Sequence, residues 1–174
     1  MTTETLKTTT LPPSRPGLSW LPRPGTYTTA PGRCLVELTA RLGPLTTLRR
    51  RLTADDATLT VASEPEDCVL SLKLTGPALG GEELSFVSTT IKPEAEGSRL
   101  RTAGELATGD TTVPSMPATV TWRIVERTDD SLLALGTTVV PYGPLRRTTG
   151  FTLSRTRPAD RLRLLVAAEF TCPA

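Results

Sequence analysis

The chain has 174 residues and a mass of 18.6 kDa, which suits one domain with its own core and is too short for two ordinary domains. Hydrophobic residues make up 37% and charged residues 22%, a composition typical of soluble globular proteins rather than disordered or membrane proteins. The 20 Lys and Arg residues nearly balance the 18 Asp and Glu residues, and the net charge of +2 gives no strong field toward nucleic acid or acidic lipid. We therefore expect no nucleic-acid partner and no membrane insertion.

The N-terminal segment, residues 1–24, is rich in Thr and Pro and is expected to form an arm rather than a core element, because Pro supplies no ladder donor and cannot continue a helix. Its first ten residues lack the apolar run of a secretory signal, so we expect a cytoplasmic protein. Trp20 is the part of the arm most suited to dock on the body, since a large ring gains most from burial, and the mouth of a barrel would accommodate it.

From Gly25 to the end at residue 174, the dominant pattern has a period of two, which predicts β-strands throughout. In residues 33–41, for example, Cys34, Val36, Leu38 and Ala40 share one face. Similar short runs are separated by Pro, Gly and Asp clusters and lie at 57–61, 68–75, 84–89, 99–105, 118–125, 132–140, 151–154 and 161–170. The spacing predicts an all-β domain, a single antiparallel barrel of about eight to ten strands. Which face of each strand is inside stays open.

Residues 44–52 are the best helical candidate, because Leu45, Leu48 and Leu52 fall at helical spacing. Nine residues with two internal threonines make a weak helix, and a twisted strand or a single turn is the alternative. The carboxylate pairs Asp55-Asp56, Glu82-Glu83 and Asp129-Asp130 stand beside turn residues, and we interpret them as solvated turns rather than acid–base pairs.

Several phrases resemble those of the YceI-like family. The run at residues 24–38 looks like the opening strands of that family, and the run Leu-Ser-Phe-Val-Ser-Thr-Thr-Ile at 84–91 looks like one of its later strands. The run Thr-Ala-Gly-Glu-Leu at 102–106 looks like its Gly-x-Leu strand, and residues 145–170 look like its closing hairpin. The resemblance covers about residues 24–172. It implies a lipocalin-like barrel that binds polyisoprenoid or other long apolar lipids.

The chain also departs from the family pattern. It contains no histidine, so Thr-Ala-Arg-Leu at 39–42 stands where the family often has an Arg-His pair. The segment between Leu74 and Leu84 is much shorter than the family's charged helical excursion. These departures imply that a lid or an entrance has been lost or rebuilt.

The absence of histidine excludes Ser-His-Asp and Cys-His catalysis and His metal sites. Cys34, Cys68 and Cys172 are widely spaced and form no Cys-x-x-Cys pair, so we expect structural thiols, no metal and no cofactor. The basic runs 49–51 and 146–147 suit either an anion or headgroup contact near a barrel mouth or a charged edge that prevents strand pairing, and the charged edge is favoured.

The large rings suggest a pocket. An eight-stranded barrel either fills with side chains or holds one ligand, and the candidates for lining such a pocket are Trp122, Tyr142, Phe86, Phe151 and Trp20. Plain core packing is the alternative for each of them.

Three functions are therefore considered. The first is binding of an elongated apolar molecule such as an isoprenoid, lipid or polyketide-like chain inside the barrel. The second is a cofactor-free cyclase that folds a polyene or polyketide chain for cyclisation or [4+2] cycloaddition, since positioning and a few hydrogen bonds lower the barrier. The third is a structural barrel with a filled core. The sequence leaves the ligand's identity and the oligomeric state open.

Overall fold

The computed structural model describes residues 21–42, 44–94, 98–109, 112, 114–153 and 160–172. In these residues the chain forms eight strands, one short helix and two 3₁₀ turns at Pro65–Asp67 and Pro77–Leu79. The strands are β1 (Gly25–Leu42), β2 (Leu45–Val61), β3 (Val69–Thr75), β4 (Leu84–Glu94), β5 (Arg99–Thr108), β6 (Met116–Arg127), β7 (Ser131–Pro141) and β8 (Arg161–Thr171), and the helix α1 is Tyr142–Thr149.

Each strand pairs antiparallel with the next, and β1 also pairs with β8, so the sheet closes into a barrel. Closure satisfies the backbone groups that an open sheet would leave at its two edges. The prediction of an all-β protein built as a single antiparallel barrel is confirmed, and its eight strands lie within the predicted range.

Apolar and polar residues alternate along the sequence because successive side chains of each strand point alternately to the inside and the outside of the barrel. In β3, the residues Leu70, Leu72 and Leu74 are buried while Val69 and Lys73 are exposed. The even-numbered residues of β8, from Leu162 to Phe170, are likewise buried. The structure therefore assigns the apolar face of each strand to the interior, as burial of apolar surface requires.

The two ends of the barrel are covered differently. At one end, α1 meets the Pro77–Leu79 turn so closely that a Cβ on Gly80 would lie 2.6 Å from the Thr149 carbonyl oxygen. At the other, which we call the Tyr27 end, Tyr27 is fully buried and its hydroxyl donates to the carbonyl oxygens of Arg23 and Asp129, at 2.7 and 3.1 Å. Tyr27 thus fastens the segment that precedes β1 to the turn between β6 and β7.

The local structure decides one open alternative and departs from expectation elsewhere. Residues 45–52 form a strand, which was the alternative to a weak helix, because they pair with β1. Asp55 and Asp56 lie within β2 at a register shift, so their interpretation as turn residues is wrong. The helix α1 was not predicted. No helix in the described part of the chain has the length and apolar character to span a bilayer.

Candidate functional site

The interior of the barrel contains a small cavity near the Tyr27 end. Its walls carry the apolar side chains of Leu59, Leu70, Ile91, Leu100, Leu132 and Phe170. Ala134, Thr102 and Trp122 complete the lining. The cavity measures about 20 Å³, enough for a single water and far below the roughly 300–1,000 Å³ of typical small-molecule pockets.

Trp122 fills the space that a ligand would need in this region. Its indole is buried at 3% exposure and its Nε1 donates to the Thr102 hydroxyl at 3.1 Å. Gly136 lies directly opposite on β7, and a Cβ there would stand 2.7 Å from two ring atoms. The glycine therefore makes room for the ring inside the barrel.

The other proposed pocket residues are not gathered around Trp122. Phe86 is buried on β4, where it is opposite Leu72 and Leu106, and it does not line the small cavity. Tyr142 and Phe151 lie at the α1 end, with ring centroids 6.2 Å apart in an edge-to-face arrangement. The Tyr142 hydroxyl accepts a hydrogen bond from the Leu153 N–H at 2.8 Å. Trp20 lies outside the described residues.

A much larger space lies on the outer wall, and we call it the β1–β2–β8 cleft. It measures about 560 Å³ and is lined by Arg41, Arg49 and Arg163, by Glu37, and by Thr39, Thr46, Thr47, Leu48 and Leu165. The basic run 49–51 is visible in the sequence, but nothing there connects it with Arg163, which is 114 residues away from Arg49 in the chain and two strands away in the barrel. Only the closure between β1 and β8 brings these arginines together.

Glu37 is the unusual member of the cleft. It belongs to the outward-facing set of β1, yet its side chain is only 7% exposed and pairs with the guanidinium of Arg49, which is 73% exposed. A carboxylate removed from water requires such a partner, because an unpaired buried charge is costly. Thr39 beside it is also buried, and its hydroxyl donates to the Arg163 carbonyl oxygen at 3.2 Å.

Two groups on the inner side of β1 have altered acidity. Burial raises the pKa of the Cys34 thiol to about 11, so the thiol stays protonated and unreactive at neutral pH. Burial also raises the pKa of Tyr27 above its ordinary value, with a further contribution from Cys172. Neither shift produces a nucleophile or a base that works near neutral pH.

A comparison with known proteins finds no matching family model and no matching curated protein.

Proposed function

We propose that the protein binds an apolar small molecule inside the barrel, at the Tyr27 end, as the resemblance to the YceI-like family implies. The observation that carries the proposal is the chemistry of the lining at this end. Eight of the nine lining residues are apolar, and the hydroxyl of the ninth, Thr102, is already engaged by the Trp122 indole and the Val120 carbonyl. A wall of this kind favours an isoprenoid, a fatty chain or a polyketide-like chain over a polar molecule.

Binding requires the interior to open, because about 20 Å³ holds no elongated ligand. The segment before β1, residues 21–24, is the element that moves, since it covers this end with the buried Leu21 and is held there by the hydrogen bond from the Tyr27 hydroxyl of β1 to the Arg23 carbonyl oxygen. We infer that a ligand enters at this end and displaces the Trp122 indole from its place opposite Gly136. The energy of burying the ligand's apolar surface offsets the loss of these contacts.

The alternative of a cyclase has less support from the interior than binding alone. A catalyst that folds a polyene or polyketide needs room for the folded chain, and hydrogen-bond donors that are free to reach the reacting atoms add to the effect of positioning. The Thr102 and Tyr142 hydroxyls are both engaged in hydrogen bonds, and Tyr142 lies at the opposite end from the cavity. We therefore propose a carrier that returns its ligand unchanged.

The first test is native mass spectrometry of the protein purified from its own host, followed by extraction and identification of bound molecules. A long apolar molecule recovered intact supports the carrier. A cyclised metabolite contradicts the carrier and favours the cyclase. Absence of any bound molecule, together with no uptake of palmitic acid or geranylgeraniol in a titration, contradicts both and favours a structural barrel.

A matched pair of substitutions locates the binding. Ala134→Leu places extra volume in the cavity, whereas Ala57→Leu adds the same volume to the interior at a position outside it. We expect geranylgeraniol to bind at least about tenfold more weakly to Ala134→Leu than to Ala57→Leu, while Leu100→Ala, which enlarges the cavity, strengthens binding. Equal affinities in all three folded variants would place the ligand elsewhere.

A further inference from the structure

The β1–β2–β8 cleft concentrates positive charge on the outer wall. Arg41 comes from β1, Arg49 from β2 and Arg163 from β8, and with Glu37 these three guanidiniums leave the cleft a net charge of +2. The Arg163 guanidinium makes no hydrogen bond or ion pair within the described chain, and Arg41 makes only a long bond, 3.4 Å, to the Pro44 carbonyl oxygen. Two arginines are therefore available to a ligand.

The buried Glu37 side chain forms the base of the cleft. Its buried carboxylate pairs with Arg49 and so holds that guanidinium at the cleft, although the Arg49 side chain remains largely exposed to solvent. The Thr46 and Thr47 side chains stand at the register shift between β1 and β2, where Arg41 is opposite Thr46. One guanidinium held in place, two more beside it and neighbouring hydroxyls suit a carboxylate or phosphate group.

One side of the cleft is apolar and continues beyond it. On the β8 side of the cleft Leu165 belongs to the lining, whereas Leu48 on the β2 side also packs against the core. Along the outer face of β8 the next residue is Ala167, which lies between Leu35 of β1 and Leu135 of β7. Leu35 and Leu135 are 49% and 40% exposed, so an apolar strip leads away from the arginines over the outer wall.

We propose that this cleft binds a small organic anion with a short apolar chain, a carboxylate or a phosphate monoester. The acid group lies among Arg41, Arg49 and Arg163, and the chain lies on Leu165 toward the strip formed by Leu35, Ala167 and Leu135. The volume of about 560 Å³ is in the range of small-molecule pockets. The site is separate from the interior cavity, so it is independent of the proposed function.

The simpler explanation is a charged edge that prevents strand pairing. The register does leave residues 45–52 of β2 without a partner on β3, whose pairing begins at Thr53. Edge protection accounts for the arginines of β2. It does not account for Arg163, which lies on β8 between two paired strands, nor for the buried Glu37.

The test is an NMR titration of the full chain with hexanoate, hexyl phosphate and neutral hexan-1-ol, which share one apolar chain. We expect saturable shifts of the Thr47, Arg163 and Leu165 amide signals with the two anions and much weaker ones with the alcohol. Movement of the Trp122 indole signal instead would report binding inside the barrel, and it would overturn the assignment to the cleft. Equal shifts with the alcohol, or none with the anions, would also overturn it.

Matched variants test the arginines. Arg163→Gln removes one charge from the cleft, and Arg123→Gln removes one charge from the outer face of β6. We expect Arg163→Gln to weaken anion binding about tenfold and Arg123→Gln to change it less than about twofold. Equal weakening would mean a general charge effect and contradict the site. If Arg163→Gln does not fold, Arg41→Gln is measured against the same control with the same expectation.

Discussion

A ligand-binding barrel usually has its large space inside, but here the larger space, the β1–β2–β8 cleft, lies on the outer wall. The inside is closed, apolar and filled to within about 20 Å³ at the Tyr27 end, whereas the outer wall carries an open, cationic space of about 560 Å³. An eight-stranded barrel is just wide enough for its own side chains to fill it. The volume available to a ligand is therefore set by which side chains point inward and not by closure of the sheet.

The two regions also differ in how their buried polar groups find partners. Inside, the Trp122 indole donates to the Thr102 hydroxyl, which in turn donates to the Val120 carbonyl oxygen, and neither side chain carries a charge. In the cleft, one nearly buried carboxylate is balanced by a guanidinium that reaches into water. The inside thus depends on packing, which is short-ranged and intolerant of added atoms, and the cleft on charge, which salt and solvent weaken.

The strongest test of the packed interior is Gly136→Ala. The new Cβ would stand 2.7 Å from the Trp122 ring, which is rigid and enclosed. We expect a loss of about 3 kcal/mol in the free energy of unfolding, measured by urea denaturation, because overpacking forces the ring or the backbone to shift.

Two controls separate the clash from a general effect of alanine. Gly143→Ala lies in α1, where the nearest atom outside its chain neighbours is 3.9 Å from its Cβ, and we expect it to change the free energy of unfolding by less than about 1 kcal/mol, because the helix propensity of alanine is offset by the Pro144 ring that follows. In a Trp122→Leu background, Gly136→Ala should cost much less than in the native chain. An equal cost in both backgrounds would mean that the glycine is needed for its backbone and not for the ring.

The same division separates what the sequence could predict from what it could not. In β3 the period-two pattern separates Leu70, Leu72 and Leu74 from Val69, Ser71 and Lys73, and the structure shows that the leucine face is the buried one. The pattern missed α1, whose eight residues are too few for a periodic signal. The signal available there was Pro144 in the first turn and Gly150 after the last, where the glycine adopts a left-handed φ of 67°.

Because of Cys34 on the inner side of β1, we expect the free energy of unfolding to fall at alkaline pH. Below pH 9 the Cys34 thiol is protonated in the folded and unfolded chains, since its ordinary pKa is 9.0 and burial raises it to about 11. Between these values the unfolded chain releases the proton and the folded chain keeps it, so unfolding is favoured as pH rises. We expect this residue to account for a loss of roughly 2 kcal/mol from pH 9 to pH 11.

Denaturation curves of the native chain and of Cys34→Ala at both pH values measure this loss. The variant should lose less stability over the interval, and the difference between the two chains is the contribution of Cys34. Tyr27, whose pKa is also raised, titrates in both chains and cancels in the comparison. Identical losses of stability in the native chain and in Cys34→Ala would mean that the Cys34 thiol is exposed to solvent in the folded state.

The sequence could not have predicted the two spaces, because both depend on contacts between distant segments. The size of the interior cavity depends on how Trp122 fits against Gly136, which are opposite only in the register of β6 and β7. Burial of Glu37 depends on Arg49 and on Leu165, which is opposite it on β8. Alternation alone predicts that Glu37 faces outward, and it does not predict that an outward residue is covered.

The smallest expected effect belongs to the cleft. Arg49→Met keeps much of the side-chain bulk but leaves the Glu37 carboxylate without its partner, and we expect a loss of about 1 kcal/mol because Arg49 is largely exposed. Arg123→Met on β6 is the matched control and should change stability by less than about 0.5 kcal/mol. With Glu37→Gln already present, Arg49→Met should cost almost nothing, since the neutral amide needs no counter-charge. If Arg49→Met lowers the free energy of unfolding as much with Gln at position 37 as with Glu there, the arginine stabilises the cleft through its apolar stem. The contrast between a packed interior and a charge-dependent outer wall would then be wrong for this residue.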